Sequence, residues 1–133
     1  MPDAFHFDLV SPEKMVFSGE VEQVDVPGAE GDFGVLARHA PLIAMLKPGI
    51  LTVRGAGETK RIVVVGGIAE VNGQGLTVLA DMAVPVEEFD RSSLADQIKD
   101  AEEDVADAAA DAARDRAREK LDQLKALEAA LAS

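Results

Sequence analysis

The chain has 133 residues and carries 25 acidic against 13 basic side chains, a formal net charge of −12, with no cysteine, tryptophan or tyrosine. That length makes one domain, or one domain with an appendage. The charge argues against nucleic acid or an anionic membrane surface as a direct partner, and the missing cysteines rule out disulfides and thiolate metal sites, which fits a reducing compartment.

The N-terminus, M-P-D-A-F-H-F-D, lacks the basic region of a signal peptide. No apolar run approaches the ~20 residues that span a bilayer, so any membrane association is expected to run through other proteins. From Phe5 to about Val86 the pattern is β. Phe5, Phe7 and Leu9 alternate with Ala4, His6 and Asp8, the period of a strand buried on one face. Ser11-Pro12-Glu13 breaks it, and short strands are expected over 14–17 and 20–26, with Val24 and Val26 on one face and Gln23 and Asp25 on the other.

Residues 27–42, P-G-A-E-G-D-F-G-V-L-A-R-H-A-P-L, read as a shaped loop. Gly28, Gly31 and Gly34 recur at a three-residue spacing, while Glu30 and Asp32 sit at the tip with no basic residue before Arg38. Leu42–Leu46 is a short apolar run, Lys47-Pro48-Gly49 reads as a turn, and Ile50–Arg54 and Thr59–Val65 flank a hairpin connection at 55–58. Gly66-Gly67 should kink or bulge the next strand. Ile68–Val71 and Leu76–Ala80 flank Asn72-Gly73-Gln74-Gly75, the strongest hairpin signal in the chain. A last short strand is expected over 82–86. About nine or ten short strands with regular turn signals and no intervening helix favour an antiparallel sandwich or flattened barrel.

At residue 87 the composition changes. No glycine or proline occurs from Val86 to Ser133, and Ala, Asp, Glu, Arg and Leu dominate. Asp90, Ser92 and Ser93 are candidate caps for a helix whose stripe is Leu94, Ile98, Ala101 and Val105. Leu121, Leu124, Leu127 and Leu131 form a stronger stripe. Acids dominate residues 96–111, whereas Arg114, Arg116, Arg118, Lys120 and Lys125 outnumber the acids later. An antiparallel hairpin would bring the two signs together and a single rod would leave them apart. A hairpin turning within 104–110 is the expectation, giving domains at 1–86 and 87–133.

Catalytic chemistry finds no constellation. The two histidines, His6 and His39, form no zinc-binding spacing, and His6 reads as a solvated or edge histidine. The glycine spacing lacks the G-K-[ST] of a phosphate loop and no helix follows it, and carboxylates at its tip would repel phosphate. No metal, cofactor or catalytic residue is expected, and the chain reads as a non-enzyme.

Six stretches, taken in order, carry a resemblance. They are V-S-P-E-K-M-V-F-S-G at 10–19, V-P-G-A-E-G-D-F-G-V-L at 26–36, H-A-P-L at 39–42, L-K-P-G at 46–49, G-G-I-A-E-V at 66–71 and T-V-L-A-D at 77–81. Over essentially its whole length the chain resembles the bacterial-type epsilon subunits of F-type ATP synthases, which are homologous to the mitochondrial delta subunit. The resemblance implies a β-sandwich of two five-stranded antiparallel sheets followed by a C-terminal helical hairpin. It also implies a non-catalytic rotor subunit of the central stalk that couples proton translocation to ATP synthesis. Implied partners are the gamma subunit and the c-ring, with the beta and alpha subunits of the catalytic head reached through the tail. The implied place is the cytoplasmic face of the bacterial inner membrane, without direct insertion.

Carried over residue by residue, the c-ring contact maps to Glu30, Gly31 and Asp32, and the gamma contact to Ser11, His39, Ala40, Pro41 and Leu42. Some members bind ATP through a motif opening the first tail helix. Here Asp90 matches that motif, but Ser93 stands in place of its arginine and Leu94 in place of its alanine. In other members the tail inhibits ATP hydrolysis through basic residues, for which Arg114, Arg116, Arg118 and Lys120 are the candidates. Asp115 and Glu119 interleave them, as intrahelical ion pairing would also require.

Overall fold

Alternation along the first strand sets the packing of the N-terminal unit in the computed structural model, which describes residues 3–55 and 57–132. Strand β1 (Phe5–Val10) buries Phe7 and Leu9 and turns His6 away from them. The strands β2 (Met15–Val21), β3 (Gln23–Val26), β4 (Phe33–Leu36), β5 (Leu42–Met45), β6 (Gly49–Gly55), β7 (Glu58–Asn72) and β8 (Gly75–Pro85) follow. They join one continuous ladder in the order β2-β1-β8-β7-β6-β3-β4, with β5 on β7.

This ladder makes two layers because its two longest strands serve both. Gly66 (φ 69) and Gly67 (φ 118) lie in the left-handed region and kink β7. The β7–β8 register is the same before the kink, Val65 opposite Met82, and after it, Gly67 opposite Ala80, so no residue is bulged out. One layer holds β2, β1, residues 75–80 of β8, residues 67–72 of β7, and β5. The other holds β4, β3, β6, and the remaining parts of β7 and β8. Ten segments from eight strands give the expected two sheets of five.

Four local expectations change. The sheets are not antiparallel throughout: β1 and β8 run parallel, since the first and last strands are joined by all the chain between them. Ser18-Gly19 does not break a strand. Ser18 Oγ donates to Asp8 across the β1–β2 ladder at 2.7 Å, and the break falls at Glu22. Lys47-Pro48-Gly49 is no chain reversal. Met45 opposite Ile68 and Gly49 opposite Val64 share one register on β7, so residues 46–48 are a corner carrying one strand direction between layers. Finally, residues 33–36 inside the glycine-rich loop form β4, with Gly34 paired to Asp25.

The core between the layers holds Phe7, Leu9, Val24, Val26, Val35, Leu51, Leu76 and Val78, all at or near zero exposure, each worth roughly 1.5–3 kcal/mol. Phe7 and Phe17 pack with ring centroids 5.5 Å apart. The chain divides into two compact units, Met1–Glu87 and Glu88–Ser133. In the second, α1 (Arg91–Asp107) and α2 (Asp111–Ala132) pack on each other as a hairpin connected by residues 108–110. Leu94, Ile98 and Ala101 of α1 and all four stripe leucines of α2 are buried. Asp90 is the cap: its carboxylate accepts from the backbone N–H of Ser92 and Ser93, and from the Ser92 hydroxyl at 2.6 Å.

Candidate functional site

The acidic loop begins with a turn that Gly31 closes. Gly31 N–H donates to Gly28 O at 3.1 Å, and Gly31 takes φ 143, outside the range of ordinary side chains. Ala29 and Glu30 occupy the middle of this turn, so Glu30 stands at its tip, and Glu30, Gly31 and Asp32 are all exposed. Asp32 has a basic partner distant in sequence: Lys47, fifteen residues on, brings its Nζ to 3.1 Å from Asp32 Oδ1. Arg38, the next basic residue along the chain, pairs with Asp3 at 2.7 Å.

Beside the loop runs an exposed apolar surface assembled by strand pairing. Cross-strand pairing aligns Met45 with Ile68, Ile68 with Leu79, Leu79 with Val10 and Val10 with Met15. These five residues make one row across all five strands of a layer, on the face opposite the core residues Ala69, Val78 and Leu9. Met45 is 64% exposed, Ile68 41%, Leu79 53% and Met15 55%. Ile43, more exposed still, extends the row along β5. A groove of about 440 Å³ between the loop and β5, lined by Gly28 to Gly31, Phe33 and Leu42 to Met45, joins the row to the acidic loop.

The residues mapped to a gamma contact fall at two ends of this face. Ser11 follows Val10 in the β1–β2 connection, where its backbone N–H donates to Lys14 O at 2.9 Å. Leu42 opens β5 opposite Val71, at the other end of the strands from Ile68. His39 is half-buried, with Nδ1 2.7 Å from Ala40 O, while Ala40 and Pro41 are exposed. His39 and His6 line one polar cleft of about 620 Å³ with Arg38, Glu20 and the 72–75 turn. His6 sits between two carboxylates, with Nε2 2.9 Å from Asp8 and Nδ1 3.2 Å from Glu20. The Asp8 hydrogen bond foremost, then that to Glu20, raises its pKa.

In the helical unit the opposite charges do not meet. Among the described residues no ion pair joins α1 to α2; Arg114 reaches Asp111 in its own helix at 3.8 Å and donates to Ala108 O at 3.3 Å. Arg116, Arg118 and Lys120 point into solvent. The leucine and alanine stripes occupy the faces between the helices, and the charged residues lie on the opposite faces.

A complete sandwich core, an apolar row left open on one sheet and a preset acidic turn beside it describe a class: a β-sandwich domain with adjoining apolar and acidic surfaces, followed by a helical hairpin. The model of the ATP synthase delta/epsilon chain β-sandwich domain matches residues 4–86. The ATP synthase epsilon chain of Afipia carboxidovorans is 53% identical over 129 residues, covering 97% of this chain and 95% of that one. The epsilon chain of Nitrobacter winogradskyi is 64% identical over 94 residues, 71% of this chain and 70% of that one. A chain of the Euglena gracilis mitochondrial ATP synthase, solved with its c-ring, superposes with a TM-score of 0.80 at 30% identity, over 98% of this chain and 83% of that one. A chain from the central stalk and c-ring of the Tetrahymena thermophila enzyme shares the fold, with a TM-score of 0.68 at 17% identity over 97% and 98%. The chain belongs to the ATP synthase delta/epsilon chain family. It is a structural subunit of that complex and not a catalytic one.

Proposed function

We propose that this rotor subunit presents two surfaces to two partners, and so passes torque between the c-ring and gamma in a proton-coupled synthase. The exposed row Met45–Ile68–Leu79–Val10–Met15 carries this reading. Four of its members are more than two-fifths exposed on one face, and a contiguous exposed apolar patch marks an interaction site. Gamma is the occupant, with Ser11 at one margin and His39, Ala40, Pro41 and Leu42 at the other. Glu30, Gly31 and Asp32 face the polar loops of the c-ring, to which their charge is complementary.

Placed between those partners, the subunit is peripheral on the cytoplasmic side of a bacterial inner membrane. In keeping with this, no helix among the described residues is long and apolar enough to cross a membrane. Asp90 acts as a helix cap in this reading, without a nucleotide. A second reading, in which the tail reaches the beta and alpha subunits and slows hydrolysis, is favoured by Arg116, Arg118 and Lys120, which make no ion pair within the described chain.

The row is tested by capture on immobilised gamma. Ile68→Glu and Leu79→Glu each place a charge in the centre of the patch and are expected to lower binding at least tenfold. Glu30→Gln, outside it, is expected to leave binding unchanged. Undiminished capture of both charged variants contradicts the assignment.

A further inference from the structure

The acidic loop is fastened to the corner between β5 and β6. Ala29 N–H donates to Met45 O at 2.8 Å, Lys47 N–H donates to Pro27 O at 3.0 Å, and Gly28 is bridged to Leu46. The same corner supplies the cation for Asp32. The Lys47 side chain is 31% exposed and that of Asp32 73%, so the ammonium leaves a sheltered stem to meet a carboxylate at the surface. The two carboxylates of the loop therefore differ. Asp32 has a charge partner, whereas Glu30, exposed at the middle of the turn, has none among the described residues.

We infer that Lys47 is a positioning residue for the loop's contact: with Asp32 it fixes the loop to the corner, leaving Glu30 to offer the uncompensated charge to a cationic or amide group of the partner. The inference rests on the reading of this loop as the c-ring surface. A loop already ordered before docking loses less conformational entropy on binding. The pair also changes what the partner meets. Asp32 with Lys47 is a neutral couple, and the loop's net charge is concentrated at one position instead of two.

Two measurements separate the brace from the contact. The first is amide hydrogen exchange of residues 28–34 in the isolated full chain. Lys47→Met and Asp32→Asn are each expected to speed exchange by roughly two- to fivefold, the range of a partly exposed ion pair. The double variant should go no further than either single one, Lys47→Arg should restore protection, and Glu30→Gln should leave exchange unchanged. The second is proton-driven ATP synthesis in membranes carrying each variant. Lys47→Met and Glu30→Gln are expected to lower it and Lys47→Arg to preserve it.

Unchanged exchange in Lys47→Met overturns the brace. Faster exchange with loss of synthesis in Lys47→Met but not in Glu30→Gln overturns the role given to Glu30. Faster exchange with full synthesis in both overturns the reading of the loop as a c-ring surface.

Discussion

His6 shows how much a single side chain gains from its neighbours across a ladder. Ionised carboxylates only accept hydrogen bonds, so an imidazole that satisfies Asp8 and Glu20 together must donate from both nitrogens and be charged. Its folded pKa is accordingly raised. The contribution to stability is fully present below the unfolded value and is lost as pH rises through the folded one. An NMR titration of His6 should give a midpoint above that of a histidine in a disordered peptide, and Glu20→Gln should move it back down. A midpoint at the peptide value in the parent chain would contradict the double hydrogen bond. The sequence made His6 a strand-face histidine, and it is one. Its partner Glu20 is not evident from the sequence, because 14–17 and 20–26 read as separate strands and the pairing of His6 with Glu20 depends on β2 being continuous.

Among the elements, β7 governs the fold. Its two halves belong to different layers, and the hinge between them is Gly66-Gly67. A Cβ on Gly67 would meet the backbone of Leu79 and Ala80 across the ladder, at a φ that costs an ordinary residue roughly 1–3 kcal/mol before any clash. Gly66, at φ 69, lies in the region asparagine tolerates, and the atoms nearest a Cβ there belong to the side chain of Asp81. Urea denaturation is expected to show Gly67→Ala losing more than ~2 kcal/mol and Gly66→Asn losing less. Equal losses would show that the kink is not set by Gly67.

The kink was legible, because paired glycines inside an apolar run have few other uses. The corner at 46–48 was not. Lys-Pro-Gly is ordinary turn chemistry, and only the shared register on β7 reveals that the chain keeps its direction. The apolar row was legible in part. Asn72-Gly73-Gln74-Gly75 pins the β7–β8 register, and that register alone places Ile68 opposite Leu79. Extending the row to Val10 needs the parallel pairing of β1 with β8, which no local signal announces.

At the scale of the whole molecule, composition said what the protein avoids and the six stretches said what it resembles. The division of the tail charges pointed to ion pairs between the helices. Instead the leucine stripes set the hairpin and leave the charges on the outer faces, because burying a leucine stabilises more than an exposed ion pair does. The site residues mapped from the resemblance are distributed over an exposed turn, two margins of one sheet face, a helix cap and the outer side of α2. Lys47 reads in the sequence as a turn residue, and the row is readable there only in part because it depends on pairing between distant strands.

The central claim is the assignment of two surfaces to two partners. It is tested most directly by cysteine crosslinking in native membranes, with Asp32→Cys and Leu42→Cys introduced singly into the full complex. Asp32→Cys is expected to form its adduct with a c subunit and Leu42→Cys with gamma. Adducts of both positions with the same partner, or with the partners exchanged, would contradict it.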